Sequence, residues 1–141
     1  YAGSSPTPGQ VLAMREGQLR GVGVSGMKVS FVRDLARRIH DGSLRLDAFD
    51  AMTDDEVIAT LTQVKGIGRW TADMFLMFRL HRPDVLPVGD LGIVNAIKRA
   101  YRLRKPPAPE RMITLGENWR PYRSIACWYL WASLDNEPEI S

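Results

Sequence analysis

A single cysteine, Cys127, stands in the whole chain, and its isolation closes off several kinds of chemistry. One thiol forms no internal disulfide and cannot supply the ligands of an iron–sulfur cluster. Histidine is nearly as scarce. His40 and His81 have no partner at zinc-ligand spacing, and no cluster of carboxylates suits magnesium. No apolar run approaches the length of a membrane span, and nothing resembles a signal peptide. Gly-Lys-Ser/Thr is missing, which removes a P-loop. No stretch reads as a convincing strand, so the fold class is all-α, a helical bundle.

What is present is an ordinary globular chain. Its 141 residues, 45% of them apolar, make one domain, 1–141, long enough for a proper core. A formal charge of +3 permits nucleic-acid binding without requiring it. Residues 1–7 read as a loose lead-in and 135–141 as a loose acidic tail. Thr7-Pro8 opens a short helix to about Arg15, and Gly17 to Gly23 forms a second short turn or helix. Ser25 caps a helix to His40. That helix carries Val29, Val32, Leu35, Ala36 and Ile39 inward; its other face of Lys28, Arg33, Arg37 and Arg38 reads as a solvated face, with a DNA-facing patch as the alternative. After Asp41-Gly42 comes a connector with a turn at 47–51. Thr53-x-x-Glu56 is a capping box that starts a helix to about Gln63.

The centre of the chain is Val64-Lys65-Gly66-Ile67-Gly68-Arg69-Trp70-Thr71-Ala72. An amphipathic run precedes it and the apolar run to Leu80 follows, so the stretch reads as helix, hairpin, helix, the second helix starting near Arg69 or Trp70. Gly66 and Gly68 stand where the backbone needs positive φ or close approach to something. The unpaired amides there, with those of the first helical turn, make an anion site at the positive end of a helix. Lys65 and Arg69 beside them favour a nucleic-acid phosphate. A plain glycine-capped turn between two helices is the other reading. The helix from Trp70 to Leu80 is apolar nearly all round and reads as the buried centre of the bundle, with Asp73 in need of a partner. Next come Pro87-Val88-Gly89-Asp90 and a helix from about Leu91 to Tyr101, with Ile93, Val94, Ile97 and Ala100 inward. Asp90 suits an N-cap. A basic, Pro-rich loop, 104–109, leads to a short helix over 110–116, and Pro121 starts a last helix to about Leu134.

The hairpin followed by Pro87-Val88-Gly89-Asp90 resembles the helix-hairpin-helix DNA glycosylase superfamily, and within it the AlkA-type 3-methyladenine DNA glycosylases. The resemblance implies a bundle built around the hairpin, with Asp90 as the catalytic carboxylate; capping and catalysis are compatible. It implies a base pocket walled by Trp70 and Trp131, with Met74 where bacterial relatives have Tyr. It implies phosphate contacts from Lys65, Gly66, Gly68, Arg69 and Thr71, and a Na+ or K+ ion on the carbonyls of Thr62, Val64 and Ile67. Several relatives carry a four-cysteine cluster, which this chain lacks the ligands for. Bifunctional relatives place Lys where Trp70 stands, so the expected reaction is hydrolysis without strand cleavage. The alkylated purines that such enzymes release (3-methyladenine and 7-methylguanine) are cationic and need little general acid, which leaves His40 and His81 without a catalytic task. Trp119 and Trp128 read as packing.

The expected partner is duplex DNA containing alkylated bases, with no membrane contact, and the expected state is a monomer. The expected location is the cytoplasm or nucleoid of a bacterium, or the nucleus of a eukaryote. Family members carry further helices before this region, one containing Gln-Gln, and the first residue here is Tyr, so a fragment lacking them is expected. A non-catalytic helix-hairpin-helix module that binds duplex is the alternative function.

Overall fold

The structure is a computed structural model that describes residues 4–135. The first three residues of the expected lead-in, and all of the expected tail beyond Asp135, lie outside the described residues. Helix accounts for the regular structure throughout, and the described residues hold no strand. The contacts divide the chain into two compact units, residues 1–68 and 69–141.

The first unit holds four α-helices: α1 (Pro8–Ala13), α2 (Glu16–Gly21), α3 (Gly26–His40) and α4 (Asp54–Thr62), with a 3-10 turn at Leu46–Ala51. Local capping chemistry decides where they begin. Thr7 and Gln10 form a reciprocal capping box at α1, Ser25 accepts the Lys28 amide at α3, and Thr53 and Glu56 repeat the box at α4. α1 and α2 both pack on α3. The core of this unit gathers Leu19, Val29, Ala36, Leu44, Phe49, Val57, Leu61 and Val64. Val32, expected inward, is 39% exposed, because the α3 stripe is covered only where another element crosses it.

The second unit holds α5 (Arg69–Phe78), α6 (Leu91–Ala100), α7 (Pro109–Gly116) and α8 (Arg123–Asp135), with a 3-10 turn at Glu117–Trp119. α6 packs on α8 around Ile93, Ala96, Ile97 and Cys127, all almost without exposed surface. Three expectations need correction here. α5 is not buried all round: Ala72, Asp73, Leu76 and Met77 face inward, while Trp70 and Phe78 are half exposed. On α6 the small inward residue is Ala96 rather than Ala100, since Ala96 continues the stripe of Ile93 and Ile97. Pro121 does not open the last helix but stands two residues before it, ahead of Arg123. Asp73, whose partner the sequence left open, accepts a hydrogen bond from Arg69 Nε at 3.0 Å, one turn back on the same helix.

Candidate active site

Between α5 and α6 the chain runs through twelve residues with no helix of its own, and what holds it is the start of α8. The Ser124 hydroxyl donates to the Arg82 carbonyl (2.7 Å) and accepts the Val85 amide (2.9 Å). Arg123 grips Asp84 through Nε on Oδ1 (2.8 Å) and Nη2 on Oδ2 (3.3 Å), and Arg120 adds Nη1 on Oδ2 (3.0 Å). A two-pronged guanidinium–carboxylate contact fixes direction as well as distance. Two charged donors outweigh the burial of Asp84 and hold its carboxyl below the usual range. The loop ends in a tight turn in which the Asp90 amide donates to the Pro87 carbonyl (3.0 Å), with Pro87 itself buried.

Asp90 is therefore delivered on a rigid mount. It is only 9% exposed, and two indoles and the first amides of α6 converge on its carboxylate. Oδ1 accepts the Ile93 amide (2.9 Å), which is the N-cap bond of α6, and the indole Nε1 of Trp131 (3.0 Å). Oδ2 accepts the indole Nε1 of Trp70 (2.7 Å). Burial alone would push this carboxyl up. The two indoles and the amides of Ile93 and Gly92 more than offset it and hold the group ionised below the ordinary range. None of those donors is charged, so the site keeps a full negative charge.

The structure thus brings together three of the residues singled out in sequence, Asp90, Trp70 and Trp131, and gives the tryptophans a polar task beside the expected stacking one. It also explains Gly92, which the sequence reading passed over. A Cβ there would lie 3.1 Å from Asp90 Oδ1 and 3.2 Å from the Trp131 ring, so glycine makes room for the indole. Asp-x-Gly at a helix start was the available signal. Phe78 was also missed. Trp70, Met74 and Phe78 stand at i, i+4 and i+8, one stripe of α5. The Phe78 ring stacks on Trp131 (centroids 5.9 Å apart) and on Trp128 (6.3 Å). Trp128, expected to be packing, is 57% exposed on that stack. Cys127 lies buried behind Asp90, and burial, helped by that negative charge, pushes its thiol up to about 12, an unreactive state.

The hairpin residues divide between the units. In the first, Gly66 has φ +87°, and a Cβ on it would lie 2.3 Å from the Phe31 ring, so both conformation and space demand glycine. Gly68 shows neither constraint within the chain: its φ is not positive, which removes that half of the expectation, and a Cβ there meets nothing within 4 Å. The turn's own bonds, Val64 amide to Leu61 carbonyl and Ile67 amide to Val64 carbonyl, use neither glycine's amide. The Lys65 amide is taken by Asp34 Oδ2 (2.9 Å), leaving the lysine side chain exposed. Thr62, Val64 and Ile67 offer neutral carbonyl oxygens, of which Val64's keeps one lone pair beside its bond to Ile67. That donor chemistry fits a weakly held Na+ or K+ and lacks the carboxylates a divalent ion selects. In the second unit, Arg69 and Thr71 are exposed on the first turn of α5.

Against known proteins, the profile of the family described as HhH-GPD superfamily base excision DNA repair protein matches residues 1–121. YfjP of Bacillus subtilis is 36% identical over 130 residues, covering 92% of this chain and 45% of that protein. DNA-3-methyladenine glycosylase 1 of Schizosaccharomyces pombe is also 36% identical over 130 residues, covering 92% of this chain and 57% of its own. The S. pombe 3-methyladenine DNA glycosylase Mag1, solved in complex with abasic DNA, superposes with a TM-score of 0.82 at 36% identity, over 93% of this chain and 64% of that one. The chain spans about half the length of the curated relatives it matches.

Proposed function

The chain belongs to the HhH-GPD superfamily of base excision DNA repair proteins, and from that premise we propose that it is a monofunctional DNA glycosylase. Its substrate is duplex DNA carrying alkylated purines of the 3-methyladenine and 7-methylguanine type, and its product is an abasic site. The observation that carries this reading is the Asp90 carboxylate, buried, ionised and held by neutral donors alone.

A base stacked in a duplex has to be flipped out before its glycosidic bond is reachable. As that bond breaks, positive charge grows on the sugar. A fixed carboxylate whose charge is not cancelled stabilises it and orients water for attack. Trp70, half exposed beside Asp90, and the Phe78–Trp131 stack present electron-rich faces to a cationic base. No amine stands on α5 to attack the sugar. Position 70 is an indole, whose nitrogen has no nucleophilic lone pair and is engaged with Asp90. Water is therefore the nucleophile, and the strand is left unbroken.

Each unit brings its own phosphate contacts, the first through Lys65 and the amides of Gly66 and Gly68, the second through Arg69 and Thr71. A monovalent cation bound at the Thr62, Val64 and Ile67 carbonyls would add positive charge beside that backbone. The protein acts as a monomer in the compartment that holds the DNA. Among the described residues no helix is long and apolar enough to cross a membrane.

Methylated duplex DNA tests this reading. Wild type should release free 3-methyladenine and 7-methylguanine, leave alkali-labile abasic sites without nicking, and form no borohydride-trapped adduct. Asp90→Asn should release neither base while still binding duplex. Duplex binding without any release by wild type would sink the enzyme reading and leave a helix-hairpin-helix binding module.

A further inference from the structure

Beside the hairpin, the first unit carries a groove of which the glycosylase reading uses only Lys65. It holds about 430 Å³ and is lined by Leu12 of α1, by Ser30, Arg33, Asp34 and Arg37 of α3, and by Lys65. Three of the six are cations. The one carboxylate, Asp34, has only 12% of its side chain exposed and is fully engaged. It accepts the Lys65 amide (2.9 Å), Arg38 Nε (3.0 Å) and a hydrogen bond from Arg37. The Lys65 amide and the Arg38 guanidinium, with Arg37 beside them, outweigh burial and bring its pKa down to about 2, so it stays charged and is paired on the spot. Asp41, which also feels Arg37 and Arg38, accepts from Ser43 at the end of α3.

The donors that remain point to an anion. Arg33 gives one N–H to the Met14 carbonyl (2.9 Å), and a guanidinium has five, so four are left. Arg37 is 63% exposed with one bond to Asp34, and the Lys65 side chain is exposed. A guanidinium fork matches the spacing of phosphate oxygens. The groove is also part of the hairpin's own scaffold. Asp34 bolts the Lys65 amide to α3, and Gly66 lies against Phe31 on the same helix.

We infer that this α3 groove is a second phosphate site for duplex DNA, formed by Arg33, Arg37 and Lys65 and held in register with the hairpin by Asp34. It rests on the DNA-binding part of the function proposed above, and not on base release.

The test is binding of unmodified duplex, read by fluorescence anisotropy across a salt series, with circular dichroism to confirm folding. Loss of one phosphate contact flattens the plot of log affinity against log salt by about 0.9. Arg37→Gln should show that loss, so the wild-type advantage shrinks about threefold between 50 and 200 mM salt. Arg37→Lys should restore most of the slope, and Arg104→Gln, in the loop after α6, should leave it as in wild type. Ser30→Asp, which puts a carboxylate into the groove, should weaken low-salt binding more than Arg37→Gln does. Wild-type slopes in folded Arg37→Gln and Ser30→Asp overturn the groove while leaving base release untouched. Wild type that binds no duplex overturns both readings.

Discussion

Asp34 and Asp90 are the same side chain in nearly the same situation, one in each unit. Each is almost buried, each accepts a backbone amide, and each is held ionised below the ordinary carboxylate range. The other partners differ. Asp34 faces two guanidiniums, whereas Asp90 faces two indoles. A guanidinium stabilises a carboxylate by cancelling its charge; an indole N–H stabilises it and leaves the charge in place. At 4 Å and an effective dielectric of 20, an uncancelled charge is worth about 4 kcal/mol to a cation. Asp90 keeps that field for something outside the fold, and Asp34 does not. On the proposed function, the same ionisation serves an electrostatic catalyst in one place and a structural bolt in the other.

Replacing each acid by its amide is the strongest way to break the comparison. Asp90→Asn should lower base release on the order of 10²–10³-fold, the scale of losing a main electrostatic contact to a transition state. The fold should survive, because Asn caps a helix as well as Asp does. Its one new conflict is an amide N–H facing the Trp70 N–H. Asp34→Asn should instead lower the melting temperature and weaken duplex binding. Single-turnover release at saturating DNA decides between them. If Asp34→Asn abolishes release there, the division of labour is wrong.

The mount of the site was far more readable in sequence than the partners of its carboxylate. Thr7, Ser25, Thr53 and Asp90 all cap the helices their residue types announced, since caps depend on neighbours three positions away. The hairpin and the loop before Asp90 could be placed by pattern alone. The ledge formed by Phe78, Trp128 and Trp131 could not, because an apolar helix does not reveal which of its sides another helix will leave bare. Nor could Asp34. A carboxylate four residues before an arginine on α3 looks like a surface pair, and only tertiary structure brings the Lys65 amide to it, thirty-one positions away. Gly68 is a related case: its φ is not positive, and its glycine answers no demand within the chain.

Removing the indole donors sharpens the contrast more gently. In the proposed reaction Asp90 acts as the carboxylate, so release should fall as pH drops through its pKa. The indoles favour that charged form, and losing one raises the pKa. Trp131→Phe and Trp70→Phe should each move the acid limb of the pH–rate profile to higher pH, Trp70→Phe further, since its bond is 2.7 Å against 3.0 Å. The rate above that limb should fall about tenfold, the worth of one hydrogen bond to a charged group. The titratable groups that share its surroundings, Cys127 with Asp73 and Arg123, stay as they are. An acid limb that does not move in either variant would mean that the indoles only fill space.

The two hairpin glycines give the smallest effect and separate fold from function within three residues. Gly66→Ala puts a methyl into the Phe31 ring at a positive φ, and should destabilise the protein by about 1–3 kcal/mol in urea unfolding. Gly68→Ala has open space and an ordinary φ, and should change stability by less than about 0.5 kcal/mol. Yet an added methyl there stands in the way of anything that approaches the Gly68 amide from outside. Gly68→Ala should therefore weaken duplex binding while its unfolding curve overlays the wild type. Were binding unchanged as well, the hairpin's second glycine would not be a phosphate contact, and the proposed grip of the first unit on DNA would reduce to Lys65, the Gly66 amide and the α3 groove.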